Sequence, residues 1–357
     1  MKKEPQEKLP LVLRASLKAL IKMGDTFIKQ KKYYDLFIKE FKKLSDKVEK
    51  HPHLNFISLL ESYKAISNIL DNKISYFYNN RNKPWFKLFF SDKDLYELVK
   101  KDIELYHKRY PNIRLTLTKD GVMVYDNYQP NQFNALLLTV HSGTWVPKYI
   151  KELMVIPKER REMEEDLGTD QIYSSLVLEK GGIWVNNKRS RFACDFNRSP
   201  KKAVYSNKSE DRVKDIWKNE LNQNKKDIII KSYKRFYHLL DSLIETHRFN
   251  IVFDGHSMVN EKGRPDLSFG VKFVPQFYGP IVAEMRKTLM RETKRQVEIN
   301  TPFSGGYILE FLSGQFPDIF VFSMEVNKKL YMDHTNIKIK KKEMKEISKS
   351  ILKIFDF

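Results

Sequence analysis

The stretch "NIVFDGHS", residues 250–257, decides the fold class of this chain. Its apolar, β-forming start predicts a short buried strand that delivers Asp254 and His256 to its carboxyl end. A similar apolar run, "NALLLTVHSG", ends on His141, and a third, "DIFVFSMEV", brings Glu325. In open α/β sheets ligands bind beyond the carboxyl ends of the strands. The repeated pattern therefore predicts a site at one edge of a sheet.

Helical patterns separate these strands. The segment "KSYKRFYHLLDSLIETHR" leads into "NIVFDGHS", "PIVAEMRKTLMRETKR" precedes "DIFVFSMEV", and "KKKEMKEISKSILKIF" lies near the C-terminus. Further strands are predicted in "GGIWVNN", in an extended piece that ends at "RFACDFNR", and in a β-hairpin around Asp120 and Gly121. Strands alternating with helices predict a three-layer α/β sheet.

The first 110 residues have a different pattern. Apolar residues recur at helical spacing in "LPLVLRASLKALIKMGDTFI" and in "FISLLESYKAISNILDNKISYFY". The segment "SDKDLYELVKKDIELYHKRYP" predicts another helix, with Ser91 as its N-cap. We therefore expect an N-terminal helical region at residues 1–110, added to an α/β domain at residues 111–357.

Composition limits the classes of function. The chain has 357 residues, a net charge of +20 and one cysteine, Cys194. A single cysteine excludes an internal disulfide framework and a cysteine-rich zinc site. We expect a soluble, cytoplasmic protein without a membrane partner, because no signal peptide or apolar spanning segment is evident. Lysine is spread through all segments, so nucleic acid is not expected as the main partner.

The polar residues after the strands suit metal chemistry. Two histidines and one carboxylate are the usual three ligands of a catalytic zinc. A further carboxylate can act as general base for the attacking water. An arginine in the same pocket can hold a substrate carboxylate by paired hydrogen bonds. Together these groups predict hydrolysis of an amide next to an acid group.

Six motifs resemble those of the N-formylglutamate amidohydrolase family and occur in the same order. The resemblance covers roughly residues 136–335, and it implies a phosphorylase/hydrolase-like domain of the zinc-carboxypeptidase type with a zinc cofactor. That family is similar to the zinc carboxypeptidases and to the aspartoacylase group. The motifs are "TVHSGTWVP", "EEDLGTDQIY", "SRFACDFNRSP", "FDGHSM", "TPFSGGYI" and "SMEVNKKLYMD".

The resemblance implies a ligand set. His141 and His256 would bind the metal. Thr144 occupies the position where the carboxypeptidase pattern has a glutamate, so the third ligand is sought in "EEDLGTD". Asp166 is the predicted third ligand. The alternatives are Asp170 and Glu165.

The resemblance also implies roles for residues around the metal. Glu325 matches the carboxylate that activates water, and Arg191, Asn197 and Arg198 match the motif that receives a substrate carboxylate. Asp254 is expected to orient His256. Asp195 is expected to lock the loop that aims Arg198, and Tyr307 and Tyr331 are possible donors to a reacting oxygen.

These features predict a zinc-dependent amidohydrolase. Its expected partner is a small acidic N-acyl amino acid, N-formylglutamate-like, or a related peptide-like substrate. The alternative is a catalytically inactive module that binds anionic ligands or nucleic acid on the same fold, and the altered position at Thr144 keeps that alternative open. The sequence does not give the oligomeric state.

Overall fold

The computed structural model describes residues 93–118, 120–207, 213–333 and 337–356. The chain divides into two compact units. The smaller takes in residues up to 121 and Tyr237–His247, and the larger takes in Val122–Phe236 and Arg248–Phe357. The predicted helices of residues 1–92 lie outside the described residues, and the predicted boundary between residues 110 and 111 stays a prediction.

The described part of the smaller unit begins with helix α1 (Lys93–Asp102), which continues into a π-helical turn at Ile103–His107. Strand β1 (Arg114–Leu117) follows. This confirms the helix predicted over residues 91–111, although its predicted N-cap Ser91 lies outside the described part of the chain. The helix forms because apolar residues spaced four apart are buried along one face: Leu95, Val99 and Ile103.

The larger unit is built on a mixed sheet. Its strands are β2 (Val122–Asn127), β3 (Ala135–Thr139), β4 (Gly182–Asn187), β5 (Ile251–Met258), β6 (Leu267–Gly270), β7 (Val297–Ile299) and β8 (Val321–Asn327). They lie in the order β2-β4-β3-β5-β8-β6-β7. The central strands β4, β3, β5 and β8 are parallel, whereas β2 and β6 run antiparallel to β4 and β8. A separate two-stranded sheet pairs β9 (Met332–Asp333) with β10 (Lys338–Ile339).

Seven further α-helices follow along the described part of the chain. They are α2 (Lys148–Lys151), α3 (Lys158–Glu164), α4 (Thr169–Tyr173), α5 (Gln223–Thr246), α6 (Gly279–Thr293), α7 (Tyr307–Gln315) and α8 (Lys341–Leu352). Helix α4 packs on β3 and β5, α7 packs on β8, and α8 packs on α4 and α6. The predicted α/β class is confirmed. In the described residues, no helix combines the length and the apolar character that crossing a membrane requires.

The apolar runs explain the central strands. Every residue of β3, β5 and β8 is buried, as expected for parallel strands covered on both faces. Phe253 on β5 is in register with Phe322 on β8, and their rings stack with centroids 4.8 Å apart. The strands predicted in the three apolar runs are therefore confirmed, and all three end at the same edge of the sheet.

The prediction of an extended segment that ends at "RFACDFNR" is wrong. This segment forms turns, because the backbone N–H groups of Ala193 and Cys194 both donate to the Ser190 carbonyl oxygen, at 3.0 and 3.3 Å. Residues 192–196 are all buried, so the alternation that suggests a strand is not present in the burial. Strands β6 and β7 and helix α7 were not predicted, since the two strands span only four and three residues and the helix follows a Gly-Gly pair.

Gly255 on β5 permits close contact with helix α4. A Cβ at this position would lie 2.4 Å from the Tyr173 ring. We expect Gly255→Ala to lower the free energy of unfolding by about 1–3 kcal/mol, because the core is overpacked. Gly314→Ala is the control: it lies in α7 with open space around it, and alanine should add up to about 1 kcal/mol of stability. Urea denaturation of both variants measures the difference, and equal stabilities would contradict the packing described here.

Candidate functional site

His141 lies just beyond the carboxyl end of β3, on a turn that β4 holds in place. Asn187 Nδ2 on β4 donates to the Val140 carbonyl oxygen at 2.7 Å. The backbone at Gly143 approaches β4 so closely that a Cβ would lie 2.2 Å from the Lys188 carbonyl carbon. Because only glycine fits at that approach, the turn presents His141 in a defined orientation.

Three side chains share one face of the sheet where β5 pairs with β8. Asp254 and His256 lie two residues apart on β5 and so point to the same face. Glu325 on β8 is in register with His256, which places its carboxylate beside the imidazole. All three side chains are buried.

Asp166 reaches this face from the turn that follows α3. Its backbone N–H donates to the His141 carbonyl oxygen at 2.9 Å, which ties the turn to the end of β3. Its Oδ2 lies 3.0 Å from His256 Nδ1 and 3.8 Å from His141 Nδ1. One oxygen of Asp166 is therefore close to a nitrogen of each histidine.

These three residues have the geometry of a metal-binding group. One ligand atom from each of His141, Asp166 and His256 lies within 4.8 Å of the other two, and all three residues are buried. In a tetrahedral zinc site, ligands about 2.0–2.2 Å from the ion lie about 3.4 Å from one another. The distances from Asp166 Oδ2 bracket that value, so the donor set fits a divalent cation of the zinc type.

A carboxylate holds the other nitrogen of each histidine. His141 Nε2 lies 2.7 Å from Asp195 Oδ1, and His256 Nε2 lies 2.7 Å from Asp254 Oδ2. Metal-binding histidines usually hydrogen-bond a carboxylate in this way, which sets the orientation of the ring. The contact expected between Asp254 and His256 is present, whereas the contact of Asp195 with His141 was not predicted.

The alternative third ligands are engaged elsewhere. Glu165 accepts a hydrogen bond from Arg161 Nη1 at 2.8 Å. Asp170 pairs with Lys188, with 3.5 Å between Oδ2 and Nζ. Of the three acidic residues considered from the sequence, Asp166 is the one that the structure brings to both histidines.

Asp195 also contacts both arginines that follow Ser190 in the "SRFACDFNRSP" motif. Its Oδ2 accepts hydrogen bonds from Arg191 Nη2 at 3.0 Å and from Tyr205 Oη at 2.7 Å, and it lies 3.3 Å from Arg198 Nε. Burial acts to raise the pKa of Asp195, but the charges of His141 and Arg191 hold that pKa well below its usual range. One buried carboxylate therefore lies beside two guanidinium groups.

Asn197 lies directly beside His256. Its Nδ2 donates to Asp254 Oδ2 at 3.2 Å and lies 3.0 Å from His256 Nε2, while its Oδ1 accepts from the Ile308 backbone N–H at 3.2 Å. A Cβ on Gly306 would lie 2.2 Å from Asn197 Oδ1. The glycines of the "TPFSGGYI" motif therefore let this loop pack against Asn197.

Burial and neighbouring charges shift the pKa values of the residues in this cluster in different directions. Burial, with the charge of Arg191, lowers the pKa of His141. Burial acts to raise the pKa of Asp166, but the hydrogen bond and charge of His256 lower that pKa to about 2. Burial raises the pKa of Glu325 to about 8, and its Oε2 has no hydrogen-bond partner within the described part of the chain. A cation at the cluster would stabilise the charged form of Glu325.

The structure gives Tyr331 a partner in the core, whereas the role expected for Tyr307 stays a prediction. Tyr331 is fully buried, and its hydroxyl donates to the Leu167 carbonyl oxygen at 2.9 Å. Tyr307 is half-buried at the start of α7. Tyr173 donates to the His256 carbonyl oxygen at 2.8 Å. Sequence reasoning missed Tyr173, because no pattern distinguishes it from a tyrosine that only packs in the core.

Solved structures share this fold. An N-formylglutamate amidohydrolase from Ralstonia eutropha JMP134 matches with a TM-score of 0.54 and 19% identity, over 66% of this chain and 97% of that chain. A gene product from Agrobacterium tumefaciens matches with a TM-score of 0.52 and 16% identity, over 66% and 93%. A metallo-carboxypeptidase from Burkholderia cenocepacia matches more loosely, with a TM-score of 0.39 and 8% identity, over 72% and 67%. The first two confirm the predicted fold.

Comparison with protein families gives the relationship. No curated protein is significantly similar to the chain. Residues 133–332, more than half of the chain, match the family model described as N-formylglutamate amidohydrolase. This range agrees with the resemblance recognised over residues 136–335 in the sequence, and it supports hydrolysis of amides as the activity. The chain therefore belongs to the N-formylglutamate amidohydrolase family.

Proposed function

We propose that the protein is a zinc-dependent amidohydrolase that cleaves the amide C–N bond of an N-acyl amino acid resembling N-formylglutamate. The observation that carries this proposal is the buried cluster of His141, Asp166 and His256 with Glu325 in register beside it. Family membership supports the reaction class, and the cluster supports the use of a metal.

The proposed metal site would use one atom from each of three residues. His141 and His256 would each contribute Nδ1, and Asp166 would contribute Oδ2, because these atoms face one another. Asp195 and Asp254 hold the opposite ring nitrogens and so orient both imidazoles. When bound, zinc would polarise the scissile carbonyl and make water more acidic.

Glu325 moves the proton. Its Oε2 is buried and without a hydrogen-bond partner among the described residues, so it can take a proton from the attacking water. The water oxygen joins the carbonyl carbon, the C–N bond breaks, and Glu325 passes its proton to the leaving nitrogen. The products are a carboxylic acid and a free amine.

Arg198, with Asn197 and Arg191, holds the substrate carboxylate. The guanidinium of Arg198 lies over the Tyr205 ring, with 4.3 Å between Cζ and the ring centroid, and its side chain keeps about a quarter of its exposure. A planar guanidinium can donate two parallel hydrogen bonds to a carboxylate. These contacts favour a small acidic N-acyl amino acid or a peptide-like substrate that ends in a carboxylate.

Zinc content tests the metal centre. We expect the purified protein to hold about one zinc per chain, as in catalytic sites with three protein ligands, and His256→Ala to lose it. His238→Ala is the matched control, since His238 is exposed on α5. Elemental mass spectrometry measures the metal. A wild-type protein that takes up no zinc, even when zinc is added, would exclude this mechanism and favour an inactive anion-binding module.

Glu325→Gln tests the proton transfer. The amide cannot accept the proton, so kcat for N-formylglutamate or another N-acyl amino acid should fall by about 100- to 10,000-fold. Zinc content should stay unchanged, because Glu325 is not among the three ligands. Glu310→Gln, the same change at an exposed position of α7, should leave kcat unaffected. Loss of zinc in Glu325→Gln would instead assign Glu325 to the metal.

Arg198→Met tests the substrate class. Losing hydrogen bonds to a charged group costs about 1.5–3 kcal/mol, so kcat/KM for an N-acyl amino acid should fall by about 10- to 100-fold. The same substrate with its carboxylate converted to an amide should be cleaved equally by the variant and by the wild type. Arg109→Met is the control, because that guanidinium also lies over a tyrosine ring, at 5.1 Å. Equal losses on both substrates would contradict carboxylate recognition by Arg198.

A further inference from the structure

Lys328 is a buried lysine that the proposed mechanism does not use. It is the first residue after β8, three positions beyond Glu325, and its relative exposure is 0%. Lysine is almost never fully buried unless it is paired. Burial lowers its pKa, so retaining the ammonium carries a cost that its contacts must offset.

Those contacts are with the segment that presents Asp166. Lys328 Nζ donates to the carbonyl oxygens of Met163 and Glu165, both at 2.6 Å. Met163 is in the last turn of α3 and Glu165 is its C-cap, where carbonyl groups lack helical partners. A cation is favoured at this end of a helix, so Lys328, which directly follows β8, caps α3.

The capped end of α3 leads directly to the metal-binding group. Asp166 follows Glu165 in the chain, and its backbone N–H donates to the His141 carbonyl oxygen. Lys328 therefore joins the strand that carries Glu325 to the turn that carries Asp166. The two bonds from Nζ add to the contacts that this turn makes with His141 and His256.

We propose that Lys328 is a positioning residue that holds Asp166 in its metal-binding position by capping helix α3. This inference rests on the proposed metal centre. The alternative is a lysine that stabilises the core without affecting the site. The affinity of the folded protein for zinc separates the two roles, because a stability defect alone leaves that affinity unchanged.

The test uses Lys328→Met, which keeps a long unbranched side chain and removes the ammonium. We expect its zinc affinity, measured by competition with a chromophoric chelator, to fall by about tenfold or more, as when other residues that orient metal ligands are replaced. Asn134→Leu is the matched control. Asn134 is buried, and its Nδ2 donates to the carbonyl oxygens of Gln129 and Gln132, at 2.7 and 2.9 Å. It precedes β3, at the end of that strand away from His141.

The outcomes are distinct. Weaker zinc binding in Lys328→Met, with unchanged binding in Asn134→Leu, supports positioning. Unchanged zinc binding in Lys328→Met overturns this inference and leaves the proposed metal centre intact. A wild-type protein that binds no zinc overturns both. If circular dichroism shows that Lys328→Met does not fold, Lys328→Gln takes its place, because the shorter amide cannot keep the ammonium's charge and both bonds. Zinc binding weaker than that of the wild type then supports positioning, and unchanged binding overturns it.

Discussion

The in-register pairing of β5 with β8 is the constraint on which the candidate site depends. It sets His256 beside Glu325, and a shift of one residue would turn one of them to the opposite face. The register is held from the face of the sheet opposite the site, the face to which Phe253 and Gly255 point. Phe253 stacks on Phe322, while the Tyr173 hydroxyl contacts the carbonyl oxygens of His256 and Met324 on the two strands, at 2.8 and 3.2 Å.

This arrangement concentrates charge where water is excluded. Asp166, Asp195, Asp254 and Glu325 are all buried within one cluster. Arginines and histidines compensate Asp195, but one oxygen each of Asp254 and Glu325 has no hydrogen-bond partner among the described residues. Leaving buried acceptors unpaired costs about 1–3 kcal/mol each. A divalent cation beside them would offset much of that cost.

The sequence allowed the central fold and most of the cluster to be predicted. Buried parallel strands read as continuous apolar runs, so β3, β5 and β8 could be recognised, and His141, His256 and Glu325 followed from their ends. Asp166 could not be separated from its acidic neighbours by pattern, because the choice depends on which carboxylate the turn after α3 aims at the histidines.

Contacts between distant segments carried no sequence signal. In a lysine-rich chain with a net charge of +20, no pattern distinguishes Lys328 from the other lysines. Its burial against α3 is visible only in the folded protein. Tyr205 approaches Asp195 from outside every recognised motif. Thr144 stands at the altered position of the carboxypeptidase pattern. Its backbone carbonyl oxygen accepts a hydrogen bond from Arg161 Nη1 at 3.3 Å. That residue therefore helps to hold α3 and the His141 turn together.

Asp195 joins the proposed metal centre to the proposed anion site. One of its oxygens contacts His141, and the other contacts Arg191 and lies beside Arg198. A single carboxylate thus sets the separation between a metal ligand and the positive charge that would hold the substrate. A rigid separation of this kind selects substrates by the distance between their scissile amide and their carboxylate. In an N-acyl α-amino acid one carbon atom separates the two groups, so in the proposed mechanism the short link through Asp195 would favour that substrate class over a general amide.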